Sequence, residues 1–178
     1  MTMGRLFAAA FLALLALQAG SAAAQSLDDI DKAEKALDAA WEKAPLSIRQ
    51  AHFVNGDPAG FGVYEARPDS TFRPGEKLVI YAEPVAYGWK SNDDGTFTFG
   101  FDIDLTLKSA DGTELLKKPN FGHLVITSHA KNREFLLKLS LDVTGADPGN
   151  YLLEYAVRDI TSAKSTVISE PFSISKPR

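Results

Sequence analysis

The sequence predicts a mainly β fold: an antiparallel β-sandwich of seven to eight strands, preceded by one N-terminal α-helix. Three observations indicate this fold class. Apolar residues recur at helical spacing near the N-terminus, and apolar residues alternate with polar ones in many later segments. Turn sequences rich in glycine, proline, asparagine and aspartate separate those later segments at regular intervals. Short strands joined by regular turns are typical of two packed antiparallel sheets.

Residues 1–24 have the pattern of a secretory signal peptide. Arg5 gives a basic start, residues 6–17 form a short apolar run, and small residues end at Ala24. We expect cleavage before Gln25. A membrane anchor is the alternative, but the apolar run is short for a membrane span. The protein is therefore expected to be periplasmic or secreted, and not membrane-spanning after cleavage.

Residues 25–45 predict an amphipathic helix. Leu27, Ile30, Leu37 and Trp41 recur at helical spacing, and Pro45 ends the pattern. Acidic residues near the start and a lysine near the end suit the helix dipole. The apolar stripe either packs on the sandwich or is offered to a partner.

Residues 46–178 predict the β-sandwich domain. The clearest strand is FTFGFDIDLTLK, in which apolar residues at odd positions alternate with polar or small residues at even positions. EFLLKLSLDV repeats this pattern. Further candidate strands are QAHFV, FGVYEA, KLVIYAEPVAYGW, HLVITSH, YLLEYAVRD and STVISEPFSI.

A Pro-Gly turn at residues 148–149 leads into the penultimate candidate strand, which begins with Tyr151. This stretch resembles the tyrosine corner of immunoglobulin and fibronectin type III-like sandwiches. By this resemblance the chain is similar to the immunoglobulin-like β-sandwich of uncharacterised secreted bacterial proteins. The resemblance implies a structural role for Tyr151, whose hydroxyl would bond to the backbone just upstream. It implies no activity, and Leu153 stands where antibody-type domains carry a disulfide cysteine.

Composition excludes several function classes at this stage. The formal net charge is −4, so the sequence predicts no basic face and no nucleic-acid partner. The chain has no cysteine and therefore no disulfide, so its stability must come from the core.

The sequence contains no recognisable constellation for catalysis. His52, His123 and His129 are not spaced to share one metal ion, and no nucleophile motif is present. Asp102 and Asp104 lie on the solvent-exposed face of a predicted strand. They either make a weak contact with a cation or a sugar or are simply solvated. The sequence therefore predicts no catalytic residue, no metal and no cofactor, and a chain that is not an enzyme.

The remaining candidate site is aromatic. Tyr87 and Trp89 precede a turn, and Phe97, Phe99 and Phe101 follow it with the same parity. These side chains form either one wall of the core or an exposed platform. The first predicted function is a non-enzymatic periplasmic protein-interaction or envelope accessory domain with an unknown protein partner. The alternative is a carbohydrate-binding module that holds a polysaccharide on Tyr87 and Trp89.

Overall fold

The computed structural model describes residues 27–176 of the chain. The predicted signal peptide at residues 1–24 lies outside these residues. Within them the chain is mainly β with one α-helix, which confirms the coarse fold class. The chain divides into two compact units, one that ends at Ala40 and one that begins at Trp41. The predicted domain boundaries at residues 24 and 45 stay predictions.

Helix α1 covers Leu27–Lys43, close to the range predicted from the apolar spacing. Asp28 and Asp29 lie in its first turn and Lys43 in its last, where their charges favour the helix dipole. The side chains of Leu27, Ile30 and Leu37 are exposed. Between residues 27 and 176, no helix is long and apolar enough to cross a membrane.

Nine strands follow the helix in the described part of the chain. They are β1 (Ser47–Phe53), β2 (Thr71–Phe72), β3 (Lys77–Val85), β4 (Lys90–Ser91), β5 (Phe97–Ser109), β6 (Glu114–Ser128), β7 (Leu137–Asp142), β8 (Gly149–Asp159) and β9 (Ser165–Ile174).

The strands form two sheets. The smaller sheet has the order β1-β3-β7, with both pairs antiparallel. The larger sheet has the order β2-β9-β8-β5-β4, and β6 pairs along β5 on its other side. Strand β2 runs parallel to β9, whereas the other neighbours in this sheet are antiparallel.

The two sheets share one hydrophobic core. Alternate residues of β5, β8 and β9 point into it from the larger sheet, and alternate residues of β3 and β7 from the smaller one. Fully buried aromatic side chains fill much of its volume: Tyr87, Phe99, Phe101, Tyr155 and Phe72. Aromatic side chains remove large apolar areas from water, so this core provides most of the stability of a chain without disulfides.

A second, smaller cluster lies on the opposite face of β3. Val54, Val79 and Tyr81 are buried there, with Tyr64 packed against them. The ring of Tyr64 stacks on that of Tyr81 at a centroid distance of 4.2 Å. The segment between β1 and β2 therefore covers this face, and β3 is buried on both sides.

Several candidate strands differ from the sequence prediction. FGVYEA forms only isolated bridges, between Val54 and Ala66 and between Gly60 and Val63, because it folds over β3 as a covering segment. Strand β6 begins at Glu114, well before HLVITSH, and continues through register shifts opposite β5. Its exposed residues follow no clean alternation, which concealed its length in the sequence.

Tyr151 lies at the start of β8, where its hydroxyl donates a hydrogen bond to the carbonyl of Asp147 at 2.6 Å. Its ring stacks on Phe172 of β9 at 5.3 Å. These two contacts hold Tyr151 against the turn before β8 and against β9.

Candidate functional site

An aromatic cluster surrounds the end of helix α1 and the connection from β3 to β4. Trp41 stacks on Trp89 with ring centroids 5.3 Å apart and planes 22° apart. Tyr87 meets both indole rings edge-on, at 5.3 and 5.5 Å. The Trp41 indole nitrogen donates a hydrogen bond to the Tyr87 carbonyl at 2.7 Å, which fixes the orientation of the stack.

Tyr87 belongs to the core rather than to a ligand-contacting surface. Its side chain is 0% exposed, and its ring stacks on Phe99 at 5.2 Å. Its hydroxyl donates to the carbonyl of Asn132 at 2.6 Å, and burial raises its pKa. The contribution of Tyr87 to a site is therefore to support its neighbour Trp89, which is partly exposed.

Asp159 fixes the backbone beside Trp89. Its carboxylate accepts hydrogen bonds from the Gly88 amide at 2.6 Å, the Ser162 hydroxyl at 2.6 Å, and the Thr161 amide and hydroxyl, each at 2.8 Å. Burial raises the pKa of Asp159, but these hydrogen bonds outweigh burial and hold the pKa below its usual range.

Gly88 is required by this arrangement. A Cβ atom at this position would lie 2.6 Å from the Thr161 hydroxyl oxygen and 3.2 Å from the Asp159 carboxylate. The close approach of the β8–β9 connection therefore explains this glycine.

Lys164 connects the end of α1 to the same region. Its ammonium group donates to the carbonyls of Glu42 at 2.9 Å, Ala86 at 2.8 Å and Trp41 at 3.4 Å. The last carbonyls of a helix lack intrahelical partners, and a cation there also suits the helix dipole. Lys164 thus holds the backbone on either side of the aromatic cluster.

A cavity of about 220 Å³ opens beside this cluster. Its lining comprises Glu42, Gly88, Trp89, Lys131, Ser162 and Lys164. The Lys131 ammonium lies 5.6 Å from the Trp89 ring centre and 5.9 Å from that of Phe97. Trp89 Nε1 is buried and has no hydrogen-bond partner among the described residues.

The outer face of the larger sheet carries paired charges. His123 Nδ1 lies 2.6 Å from Asp102 Oδ1, and Lys108 lies 2.6 Å from Glu154. Arg158 makes a two-pronged contact with Asp104 and so lowers the pKa of that carboxyl group. Because acids and bases alternate and pair here, the face presents no field of one sign.

A polar network lies on the outer face of the smaller sheet. Glu83 is 3% exposed and accepts hydrogen bonds from Tyr81 Oη at 2.6 Å and Gln50 Nε2 at 3.3 Å. The Gly62 amide donates to Tyr81 Oη at 2.7 Å. Burial and the neighbouring Glu83 raise the pKa of Tyr81 to about 12. The network satisfies a buried carboxylate and holds the covering segment on β3.

Sequence reasoning singled out Trp89 but missed the groups that complete its surroundings. Lys131 and Lys164 come from the connections after β6 and β8, and Asp159 from the end of β8, all far from Trp89 in the sequence and marked by no local motif. Within residues 27–176, no group of three or more histidine, aspartate or glutamate side chains could hold a metal ion.

Comparison with known proteins gives little similarity. No family model matches the chain, and no curated protein matches it either. One solved structure that it resembles is the Pseudomonas fluorescens alkylpurine DNA glycosylase AlkC bound to DNA containing an abasic site analogue. The sequences are 9% identical, the TM-score is 0.41, and the match covers 75% of this chain. The matched part spans 31% of the glycosylase chain.

This comparison corrects four expectations from the sequence. The similarity is to a DNA-repair enzyme, and no family of secreted immunoglobulin or fibronectin type III-like proteins matches. We therefore withdraw the predicted family and the non-enzymatic interaction or envelope role, together with its carbohydrate-binding alternative. We also withdraw the exclusion of enzyme activity and the exclusion of a nucleic-acid partner. At this TM-score the likeness assigns no activity or ligand to this chain.

Proposed function

We propose that the chain is a ligand-binding domain whose site is the cavity beside Trp89. The ligand we propose is a planar ring that bears a negative charge, such as an aromatic carboxylate or a nucleotide. The observation that carries this proposal is the position of the Lys131 ammonium above the partly exposed Trp89, at the edge of the cavity of about 220 Å³.

The charges around the cavity favour an anion. Lys131 and Lys164 contribute two positive charges, and Glu42 contributes one negative charge. Glu42 Oε1 lies 3.9 Å from Lys131 Nζ, and the lining residues together carry more positive than negative charge. The Lys164 ammonium donates hydrogen bonds to backbone carbonyl groups, but its positive charge still acts on the cavity.

The rigid support of Trp89 favours a planar ligand. One face of its indole is covered by Trp41, Tyr87 meets it edge-on, and the Asp159 hydrogen bonds fix the adjacent backbone. A preorganised aromatic side chain loses little conformational entropy when a ring packs against it. The cavity is small beside drug-sized sites, which suits a compact ligand.

The two tryptophans make this proposal directly testable. Trp41 and Trp89 are the two tryptophans of the whole sequence, so the intrinsic fluorescence of the chain reports on this cluster. The emission of the full-length protein would be titrated with benzoate, adenosine monophosphate and a short single-stranded oligothymidylate. We expect saturable changes with at least one anionic ring compound. The three probes distinguish a small carboxylate, a free nucleotide and a nucleic-acid strand as sources of the same chemistry.

Charge variants separate binding from nonspecific quenching. Lys131→Gln should weaken binding of the anionic probe about tenfold, the loss expected for one charge-assisted contact. Lys117→Gln removes an exposed lysine of β6 and serves as the matched control. Benzamide, the neutral analogue of benzoate, should bind both variants equally. No saturable change with any probe, or equal binding by both lysine variants, would overturn the proposal.

On the basis of the pattern in residues 1–24, we also propose that the protein is exported and functions in the periplasm or after secretion. As the finer description of the fold, separate from any family, we propose an immunoglobulin-like antiparallel sandwich. The corner contact of Tyr151 with Asp147 and the core common to both sheets support that description. An experimental structure of the chain would test it through the packing angle of the two sheets.

A further inference from the structure

A second cavity, larger than the one beside Trp89, lies away from the aromatic cluster. It measures about 860 Å³ and is bordered by the segment from Arg67 to Glu76, with Asn55 and Ser175 at its edges. Strand β2 forms its floor through Phe72, which is buried. Its lining contains two arginines and two acidic residues, so the charges of its lining residues are balanced.

One arginine of the lining is fixed in place. The Arg67 guanidinium lies 4.2 Å from the centre of the Phe72 ring. It also donates to Glu76 at 2.7 Å and to the Thr71 carbonyl at 3.0 Å. Glu76 accepts in turn from the backbone amide of Arg73 at 2.9 Å. Arg67 and Glu76 therefore neutralise each other and form a rigid wall.

Two charged side chains of the lining remain available. The Arg73 guanidinium makes no hydrogen bond or ion pair with any described residue, although its positive charge contributes to lowering the pKa of Glu76. Asp69 uses Oδ1 to accept from the Thr71 amide at 2.9 Å, and its Oδ2 atom has no partner among residues 27–176. The cavity thus offers one open cation and one open anion beside a neutral wall.

From this juxtaposition we propose that the cavity binds a zwitterion, namely a free amino acid or a short peptide. The ligand carboxylate contacts Arg73, and the ligand ammonium contacts Asp69. A ligand with only a negative charge would be repelled by the carboxylates of Asp69 and Glu76. A ligand with only a positive charge would be repelled by the two arginines. A ligand that carries both charges is complementary to both.

Calorimetric titration of the full-length chain tests the proposal. Alanine, dialanine and trialanine are the probes, because they carry the same two charges at increasing separation. Acetate and methylammonium each carry one of these charges. At least one of the three zwitterions should bind, and both single-charge compounds should bind about tenfold more weakly than it does. Failure of all three zwitterions to bind at millimolar concentration overturns the proposal.

Two variants assign the contacts. Arg73→Gln and Asp69→Asn should each weaken zwitterion binding about tenfold. Asparagine keeps a side-chain oxygen for the Thr71 amide, so Asp69→Asn removes charge while it preserves the local turn. Arg49→Gln and Asp93→Asn, at exposed positions outside the lining, are the matched controls. Binding that survives both lining variants unchanged would refute the assignment.

The two proposed sites give independent results. Zwitterion binding should leave the emission of Trp41 and Trp89 unchanged, because neither residue borders this cavity. Amide shifts of Thr71 and Gly75 in a heteronuclear NMR titration would locate the ligand here. Shifts confined to other segments would place the binding elsewhere and overturn the proposal.

Discussion

At the scale of single residues, Asp159 shows how a buried charge is stabilised. The side chain is 5% exposed, and four hydrogen bonds from Gly88, Thr161 and Ser162 reach its carboxylate. Because its folded pKa lies below the usual 3.8, Asp159 contributes stability that is present above that pH. This contribution disappears as the pH falls through the folded pKa.

Asp159→Asn should lower the free energy of unfolding at pH 7 by about 2–3 kcal/mol. The amide nitrogen of asparagine cannot accept a hydrogen bond from Gly88 or Ser162, so at least one buried donor loses its partner. Urea unfolding at several pH values would measure the effect. The difference from the wild type should shrink below about pH 4, where the carboxyl group begins to protonate. A difference that stays constant down to pH 2 would contradict the account.

Glu170 behaves in the opposite way. It lies in β9 on the same side as Ile168 and Phe172, opposite Leu153 of β8. It has no hydrogen-bond partner among the described residues, and burial raises its pKa above the usual 4.5. Its ionisation therefore lowers stability as the pH rises through the folded pKa, and the loss is absent below the unfolded pKa.

We expect Glu170→Gln to stabilise the protein at pH 7 by about 0.5–1 kcal/mol, a modest gain because water still reaches the carboxylate. At pH 3, where glutamate is protonated in both states, the two proteins should unfold at nearly the same temperature. Calorimetric melting at both pH values provides the check. A variant that is less stable than the wild type at pH 7 would show that Glu170 has a favourable partner.

At the scale of elements, β5 depends on one glycine. A Cβ atom at Gly100 would lie 2.0 Å from the carbonyl oxygen of Leu124 in β6 and 2.8 Å from Ile160 Cδ1. The first of these atoms belongs to the backbone, so a small side-chain rotation cannot relieve the contact. The β5–β6 pairing therefore requires glycine at this position.

Gly100→Ala should lower the free energy of unfolding by about 3 kcal/mol, because the strands must separate locally to admit a methyl group. Gly60→Ala is the control, since no atom lies within 4 Å of the equivalent Cβ position. Its stability should stay within about 0.5 kcal/mol of the wild type. Comparable losses in both variants would point to chain entropy instead of the close contact in β5.

The elements differ in how well the sequence predicts them. Strands β5 and β8 each bury one face, so their apolar residues recur with a clear period. Helix α1 also follows its apolar spacing, although Trp41 is the residue that it buries. The first part of strand β6 is exposed throughout, and β4 contains two residues, so neither stretch has a hydrophobic pattern. The segment FGVYEA alternates like a strand, yet it packs side chains over β3 without joining a sheet.

At the scale of the whole molecule, the cavity beside Trp89 could be predicted only in part. The aromatic residues around the turn all stand at odd positions, and this pattern singled out Trp89. The pattern could not show that Tyr87 lies in the core while Trp89, two residues later, is partly exposed. The lysines of the cavity come from the connections after β6 and β8. Their approach depends on sheet order, which a single sequence does not specify.

Processing of the whole chain gives a further prediction. If residues 1–24 act as a signal peptide, the exported protein should begin at Gln25. Mass spectrometry of the periplasmic fraction measures the N-terminus, and Ala24→Pro should block cleavage while it leaves the folded part unchanged. An intact Met1 on the exported protein would contradict this expectation.

The order of the strands has a consequence for the folding route. β5–β6 and β8–β9 are hairpins with short connections, so their ends meet at small entropic cost. Strand β3 instead pairs with β7, and β4, β5 and β6 lie between these two strands along the chain. Non-local pairs form late because their loop closure is costly. We therefore expect the hairpins of the larger sheet to form first, and the arrival of β7 beside β3 to complete the core.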